Sequence, residues 1–159
     1  MTDEYHLNSM EETDSQDSDL ALKLFVVLSR AARAVSDRVQ EDIKSHGLNP
    51  TEFAVLELLY HKGAQPIQQI GKKVLLASGS ITYVVDKLEQ KKLLERQACP
   101  NDRRVIYAVI TEEGRKWMDR VFPQHRKQIK KIFSILNPEE KEQLITQLKK
   151  LGLYAQDLK

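Results

Sequence analysis

The residues with chemistry to offer in this chain are cationic and small-polar rather than nucleophilic. Arg103 and Arg104 adjoin a Cys-Pro-Asn-Asp turn (99–102). Lys72 and Lys73 sit late in one short apolar-periodic run, and Ser78, Gly79 and Ser80 open the next. Guanidinium and ammonium groups neutralise phosphates, and amides and hydroxyls at a helix start add positive potential where the backbone can come close. This is equipment for a polyanion. Enzyme chemistry has no comparable set: there is no phosphate-binding glycine loop, nucleophile elbow or paired-carboxylate constellation, and no cofactor is expected. His6, His46, His61 and His125 are far apart and read as having no acidic or cysteine neighbour at ligand spacing. No metal site is expected, and surface or cap roles are the default for each. Cys99 stands alone, near Arg96, Arg103 and Arg104. It is a redox candidate for oxidants or quinones, against the plainer reading of a bystander thiol in a loop.

Two elements must position those cations. Ile67, Ile70 and Val74 recur at helix-face spacing, as do Ile81, Val84, Val85 and Leu88, with the small-residue break 77–80 between them. A short helix, a tight turn and a second helix make a helix-turn-helix, whose second helix can lie in a DNA major groove. With its apolar positions inward, that helix turns Ser80, Tyr83, Lys87 and Gln90 outward, with Ser78, Gly79 and Thr82 near the end that enters first. Residues 93–98 and 105–110 then read as two strands around the turn, a wing tipped by Arg103 and Arg104. Tyr83 suits a thymine methyl or a phosphate, or else partial burial against this wing; Thr82 is equally open. Arginine favours narrow minor grooves. Arg103 is the preferred DNA reader, and Arg104 has Asp102 or Asp86 as an alternative partner. Lys72 and Lys73 reach phosphates if their helix crosses the backbone, or merely form a solvated face.

The flanking segments are mainly helical. Residues 1–17 are polar and acidic and are expected to lack order. A helix from Ser18, as cap, to His46 carries Leu20, Leu24, Val27, Ala31, Val35, Val39 and Ile43 at threes and fours, and Gly47 ends it. Asn49-Pro50-Thr51-Glu52 and Asn137-Pro138-Glu139-Glu140 are capping-box starts, and Thr111 caps a helix expected to run to about Leu136. The apolar stripes of the first and last two helices exceed what one small lobe can cover, which points to a two-fold dimer. The expected organisation is an acidic tail (1–17), dimerisation helices (18–47 and 112–159) and a DNA-binding lobe (48–111).

Composition agrees. Net charge is +2, but the first 19 residues hold seven acids and no lysine or arginine, so the remainder has 16 acids against 25 bases. A basic body suits a polyanion partner, or simply a soluble surface. No apolar run approaches the ~20 residues of a membrane span, and no secretory signal is read before residue 20. The single cysteine excludes an internal disulfide and suits the cytoplasm.

The stretch 76–89 (LASGSITYVVDKLE), Leu93-Leu94-Glu95-Arg96, and Asp102-Arg103-Arg104 followed by Ile110-Thr111-Glu112-Glu113-Gly114 resemble MarR-type transcriptional regulators. The pattern runs without gaps from about Leu48 to Gly114, and it is similar to Gram-positive repressors of the methylhydroquinone- and catechol-resistance type. Tyr83 stands where many members carry arginine, and Lys92 where many have glycine. The resemblance implies a mainly α, winged helix-turn-helix fold with N- and C-terminal dimerisation helices. It implies a homodimeric repressor on a palindromic double-stranded DNA operator, released by a small aromatic or phenolic effector or a thiol-reactive compound. Phe25, Leu28, Tyr60 and Trp117 are the ligand-binding candidates, each equally explained by core packing. The alternative function is a winged-helix protein–protein interaction module without sequence-specific DNA binding.

Overall fold

The computed structural model describes the backbone of residues 2–74 and 81–158, and side chains from residue 15 onward. The chain divides into two compact units, Met1–Glu41 and Asp42–Lys159. The first unit is a single helix, the greater part of α1 (Thr2–Ser45). Two expectations are corrected here. The helix begins at Thr2, so Ser18 is an interior residue rather than a cap, and residues 2–17 are helical rather than without order. No glycine or proline precedes Gly47 to break the run, and acids near the start suit the positive end of a helix dipole. Leu20, Leu24, Phe25 and Val27 on this helix are all more than half exposed.

In the second unit, α2 (Pro50–Lys62) starts as its sequence dictates. Asn49 Oδ1 accepts the Glu52 N–H at 2.8 Å, and the Glu52 carboxylate accepts the Asn49 N–H at 3.0 Å. Gly63, at a φ of 77°, closes the helix in a conformation that favours glycine. Glu52 has a further partner: although nearly buried, its Oε2 also takes Lys91 Nζ at 2.8 Å. That pair ties the start of α2 to the residue after α4 (Ile81–Gln90).

Between them stand β1 (Gln65–Pro66) and α3 (Ile67–Lys73); β2 (Leu94–Ala98) and β3 (Ile106–Ile110) follow α4. The sheet order is β1-β3-β2, antiparallel throughout, with Gln65 opposite Ala108 and Arg96 also opposite Ala108 from the other side. The hairpin matches the expected wing to within a residue at each strand start. β1 is unforeseen, because two residues ending in proline carry no periodicity. The core lies where α2, α3, α4 and the sheet meet. Val55, Leu56, Leu59, Ile70, Val85, Leu88 and Ala108 are each fully buried, and a buried leucine contributes about 2 kcal/mol.

The end of α4 is a Schellman motif. Leu93 N–H bonds to the Leu88 carbonyl and Lys92 N–H to the Glu89 carbonyl. Lys92 has a φ of 60°, the only non-glycine in the left-handed region among the described residues. Thr111 then caps α5 (Glu112–Ile132), its Oγ1 accepting the Gly114 N–H and donating to the Lys92 carbonyl at 2.7 Å. α5 ends at Ile132, a turn short of the expected end near Leu136, and α6 (Pro138–Asp157) opens with the Asn137 capping box. No helix among the described residues is long and apolar enough to cross a membrane.

The strain at Lys92 is testable. Lys92→Gly should stabilise the protein by about 1 kcal/mol, since a side chain in the left-handed region costs more than glycine's extra unfolded-state freedom. A urea midpoint that falls would contradict this account of the α4 terminus.

Candidate nucleic-acid interface

The face of α4 opposite the core is solvated. Val84, Val85 and Leu88 point inward, while Thr82, Tyr83 and Gln90 are exposed and Lys87 is partly so. Tyr83 is 60% exposed, which removes the reading of burial against the wing. One turn on, Lys87 Nζ sits 5.4 Å from the centre of the Tyr83 ring, a cation–π spacing. Phenol and ammonium therefore form one projecting unit. Ser78, Gly79 and Ser80 fall on residues 75–80, outside those described.

At the wing tip the two neighbouring arginines differ. Arg104 is bound back to the turn: its Nε donates to Asp102 Oδ1 at 3.1 Å, its Nη2 to Oδ2 at 3.2 Å, and its backbone N–H to Oδ1 at 3.0 Å. These bonds, from the Arg104 side chain first and its amide second, hold the Asp102 carboxyl below the ordinary aspartate range. The pairing is therefore complete above that range and is lost only as pH falls beneath it. Arg103 makes no ion pair among the described residues and is exposed. On α3, Lys72 is exposed with no ion-pair partner among the described residues, while Lys73 donates to Gln65 Oε1 in β1.

The residue that joins helix to wing is absent from the sequence-based expectations. Arg96 of β2 donates from one nitrogen to Asp86 and from another to Glu89, both on α4, while its backbone N–H reaches Glu89 Oε1 at 3.3 Å. The Asp86 bond, with Glu89's charge, raises the Arg96 pKa against the opposing effect of burial. Asp86 is thus committed to Arg96 and not to the wing-tip arginines. The sequence does carry a signal in Asp86-x-x-Glu89, an i, i+3 pair of carboxylates on one helix side, but its cation comes from another element.

A second omission concerns the histidines. His125 on α5 is buried, not superficial: its Nδ1 lies 2.7 Å from Asp42 Oδ2, and its ring packs 4.7 Å from that of Phe53. His46 Nε2 faces the same carboxylate at 3.5 Å, without hydrogen-bond geometry and with no other partner among the described residues. Asp42 is in the last turn of α1 and His46 four residues on, just past the helix end, so His46 does have an acidic neighbour at ligand spacing, contrary to expectation. No group of three ligands fit for a metal occurs among the described residues. His61 remains exposed, against the rings of Tyr60 and Phe122.

Of the ligand candidates, Tyr60 and Trp117 belong to the second unit. The Tyr60 hydroxyl donates to Asp119 Oδ1 at 2.6 Å, and that bond is the largest cause of its raised pKa. Half-buried Trp117 meets Phe53 edge-on at 6.3 Å. Phe25 and Leu28 belong to the first unit. A groove of about 480 Å³ lies between α5 and α6, and none of the four lines it. Cys99 is half-buried at the base of the wing turn, its N–H donating to the Val105 carbonyl at 3.0 Å. Of its three neighbouring arginines, Arg96 and Arg104 are already paired with carboxylates, so the cationic setting expected for the thiol is largely neutralised.

Arg96→Ala should leave two α4 carboxylates without their cation and cost about 1 kcal/mol, as partly exposed ion pairs do. In a double-mutant cycle with Asp86→Asn, a coupling energy near zero would show that the clamp does not hold the wing.

Residues 48–106 match the MarR family. The chain is 59% identical over 138 residues to the HTH-type transcriptional regulator MhqR of Bacillus subtilis (strain 168), spanning 87% of this chain and 95% of that protein. Sco3205, a MarR family transcriptional regulator from Streptomyces coelicolor solved in complex with DNA, shares the fold. Its TM-score is 0.74 at 22% identity, covering 83% of this chain and 90% of that one. Bordetella bronchiseptica BpsR, whose structure concerns the regulation of its DNA binding by 6-hydroxynicotinic acid, is 25% identical. Its TM-score is 0.71, over 82% of this chain and 98% of that one. Identity of the order found with MhqR, along nearly the full length of both proteins, makes this chain a member of the MarR family of winged helix-turn-helix transcriptional regulators, and not an enzyme.

Proposed function

We propose that this regulator is a homodimeric repressor that binds a palindromic double-stranded operator in the cytoplasm and leaves it when a small aromatic or phenolic compound, or a thiol-reactive one, engages the protein. In this reading residues 48–111 are the DNA-binding lobe, and 18–47 and 112–159 the dimerisation helices. The carrying observation is the coexistence on one lobe of a solvated recognition-helix face, with Thr82, Tyr83 and Lys87, and an unpaired, exposed Arg103 at the wing tip. The helix enters a major groove with Ser78, Gly79 and Ser80 leading, and Arg103 reaches the adjoining minor groove. Lys72 supplies a phosphate contact; Lys73 does so from its Gln65 anchor, and Arg104 shapes the turn rather than reading bases.

Dimerisation is supported by the apolar side chains left in solvent on α1 and α6, among them Leu20, Leu24, Ile145 and Leu148. A two-fold pair of recognition helices about 34 Å apart matches one duplex turn. The hydroxylated aromatic acid named for BpsR supports an effector of that class, and binding would act by favouring a dimer whose helix spacing no longer fits. Phe25, Leu28, Tyr60 and Trp117 remain the proposed effector contacts and Cys99 the proposed thiol.

The test is an electrophoretic shift with the inverted repeat upstream of the coding region, titrated with salt. Operator binding should far exceed binding to random DNA, with both weakened by salt. Arg103→Ala should weaken operator binding roughly tenfold. Affinity indifferent to DNA sequence, with tighter binding to an acidic protein, would transfer the argument to a protein-interaction module.

A further inference from the structure

We infer that Tyr83 and Lys87 form the base-reading pair of α4: the phenol ring takes the methyl group of a thymine, and the ammonium takes the O6 and N7 of a guanine in the neighbouring base pair. The inference rests on the DNA-binding reading above and adds which bases that face selects. Both side chains stand on the solvated side of α4, one turn apart, with Tyr83 exposed and Lys87 Nζ 5.4 Å from its ring centre. The ring holds the ammonium beside itself without neutralising it. Phenol and ammonium are thus presented as one shape. Base pairs stack about 3.4 Å apart, so a ring and an ammonium at this spacing reach neighbouring pairs rather than distant ones.

The rest of the face decides which bases fit. The carboxylates of α4 are Asp86 and Glu89, and both are engaged by Arg96 of β2. Neither is left to accept a hydrogen bond from the amino group of cytosine, the base edge that an acid reads. Arg96 thereby shapes selectivity without touching DNA. What remains in the middle of the face is a donor beside an apolar surface. A lysine ammonium has three donors and no acceptor. Guanine offers it two major-groove acceptors and no donor, whereas adenine sets an amino donor beside its N7. The ring in turn finds its apolar complement in the C5-methyl of thymine, the one methyl group among the major-groove base edges. A phosphate would satisfy Lys87 alone and leave the Tyr83 ring in water.

The experiment takes the tightest duplex that the full-length chain selects from a randomised pool and measures affinity after changing one base at a time. Uracil in place of thymine removes only the methyl group, and 7-deazaguanine in place of guanine removes only N7. At one thymine of the selected site, uracil should weaken binding about fourfold. At a guanine in the neighbouring pair, 7-deazaguanine should weaken it about fivefold. Tyr83→Ala should abolish the sensitivity to uracil, while Tyr83→Phe, which keeps the ring, should retain it. Lys87→Met should abolish the sensitivity to 7-deazaguanine. Wild-type affinity indifferent to uracil at every thymine would overturn the pair as a base reader. So would variants that weaken binding to every duplex alike, random DNA included, since that is the behaviour of phosphate contacts; the DNA-binding reading would stand in both cases. A pool from which the wild-type chain enriches no sequence would overturn both.

Discussion

The carbonyl of Leu93 is the point on which the DNA-facing lobe turns. It accepts the Thr111 N–H at 3.1 Å, joining the residue that leaves α4 to the residue that enters α5. The two strands of the wing lie between those residues, so the bond closes the hairpin at its base. Gly114 presses against the same carbonyl so closely that a Cβ there would lie 2.1 Å from the oxygen. Only glycine permits this approach, because no flexible side chain is available to give way. One acceptor thus fixes three directions at once: where the recognition helix stops, where the wing starts, and where the long helix departs. A small displacement here would be magnified at the wing tip, several residues away along two paired strands.

With the base closed, the charges sort themselves by partner. Arg96 is spent on Asp86 and Glu89, Arg104 on Asp102, Lys91 on Glu52 and Lys73 on Gln65. Each of these cations positions an element. Among the described residues of the lobe, Lys62, Lys72, Lys87, Lys92 and Arg103 have no carboxylate partner, and three of these, Lys72, Lys87 and Arg103, stand on α3, α4 and the wing. A free cation exchanges water and counterions for a phosphate at little cost, whereas a paired one must first give up its carboxylate. Hence a cation's place along the chain is a poorer guide to affinity than the absence of an internal partner. Tyr83 adds to Lys87 by holding the ammonium over its ring, which narrows the directions the side chain explores without neutralising it.

Legibility in the sequence follows the distance over which each interaction acts. The boxes at Asn49 and Asn137 and the Thr111 cap are readable because donor and acceptor lie three residues apart, and the inward face of α4 because its period is local. The wing is readable because a run rich in β-branched residues, 105–110, follows a proline-containing turn. The start of α1 is misread for an instructive reason: a serine followed by an acid resembles a cap, but a cap matters only where the chain upstream leaves the helix. β1 is invisible because its identity as a strand comes wholly from Ala108 and Tyr107, some forty residues away. The split between Arg103 and Arg104 is half readable, since Asp102 two residues before Arg104 is a local partner, but the commitment of Asp86 to Arg96 requires the fold.

The half-buried Asp42 shows the same limit from the other side. Its carboxylate is reached by His125, 83 residues on, and by His46 one turn away, beneath a wall formed by the Phe53 ring. A polar group enclosed in this way costs stability unless its partners are in place. The arrangement therefore discriminates among dockings: only one position of α5 against the last turn of α1 and the start of α2 brings an imidazole nitrogen to that oxygen. An apolar trio at these positions would tolerate sliding by a fraction of a turn, as packed hydrocarbon does. The hydrogen bond does not. Registry between α5 and the lobe is consequently set by this contact, by the Tyr60 hydroxyl on Asp119 and by Gly114 at the helix start, fixed points on a helix that otherwise presents its cations to solvent.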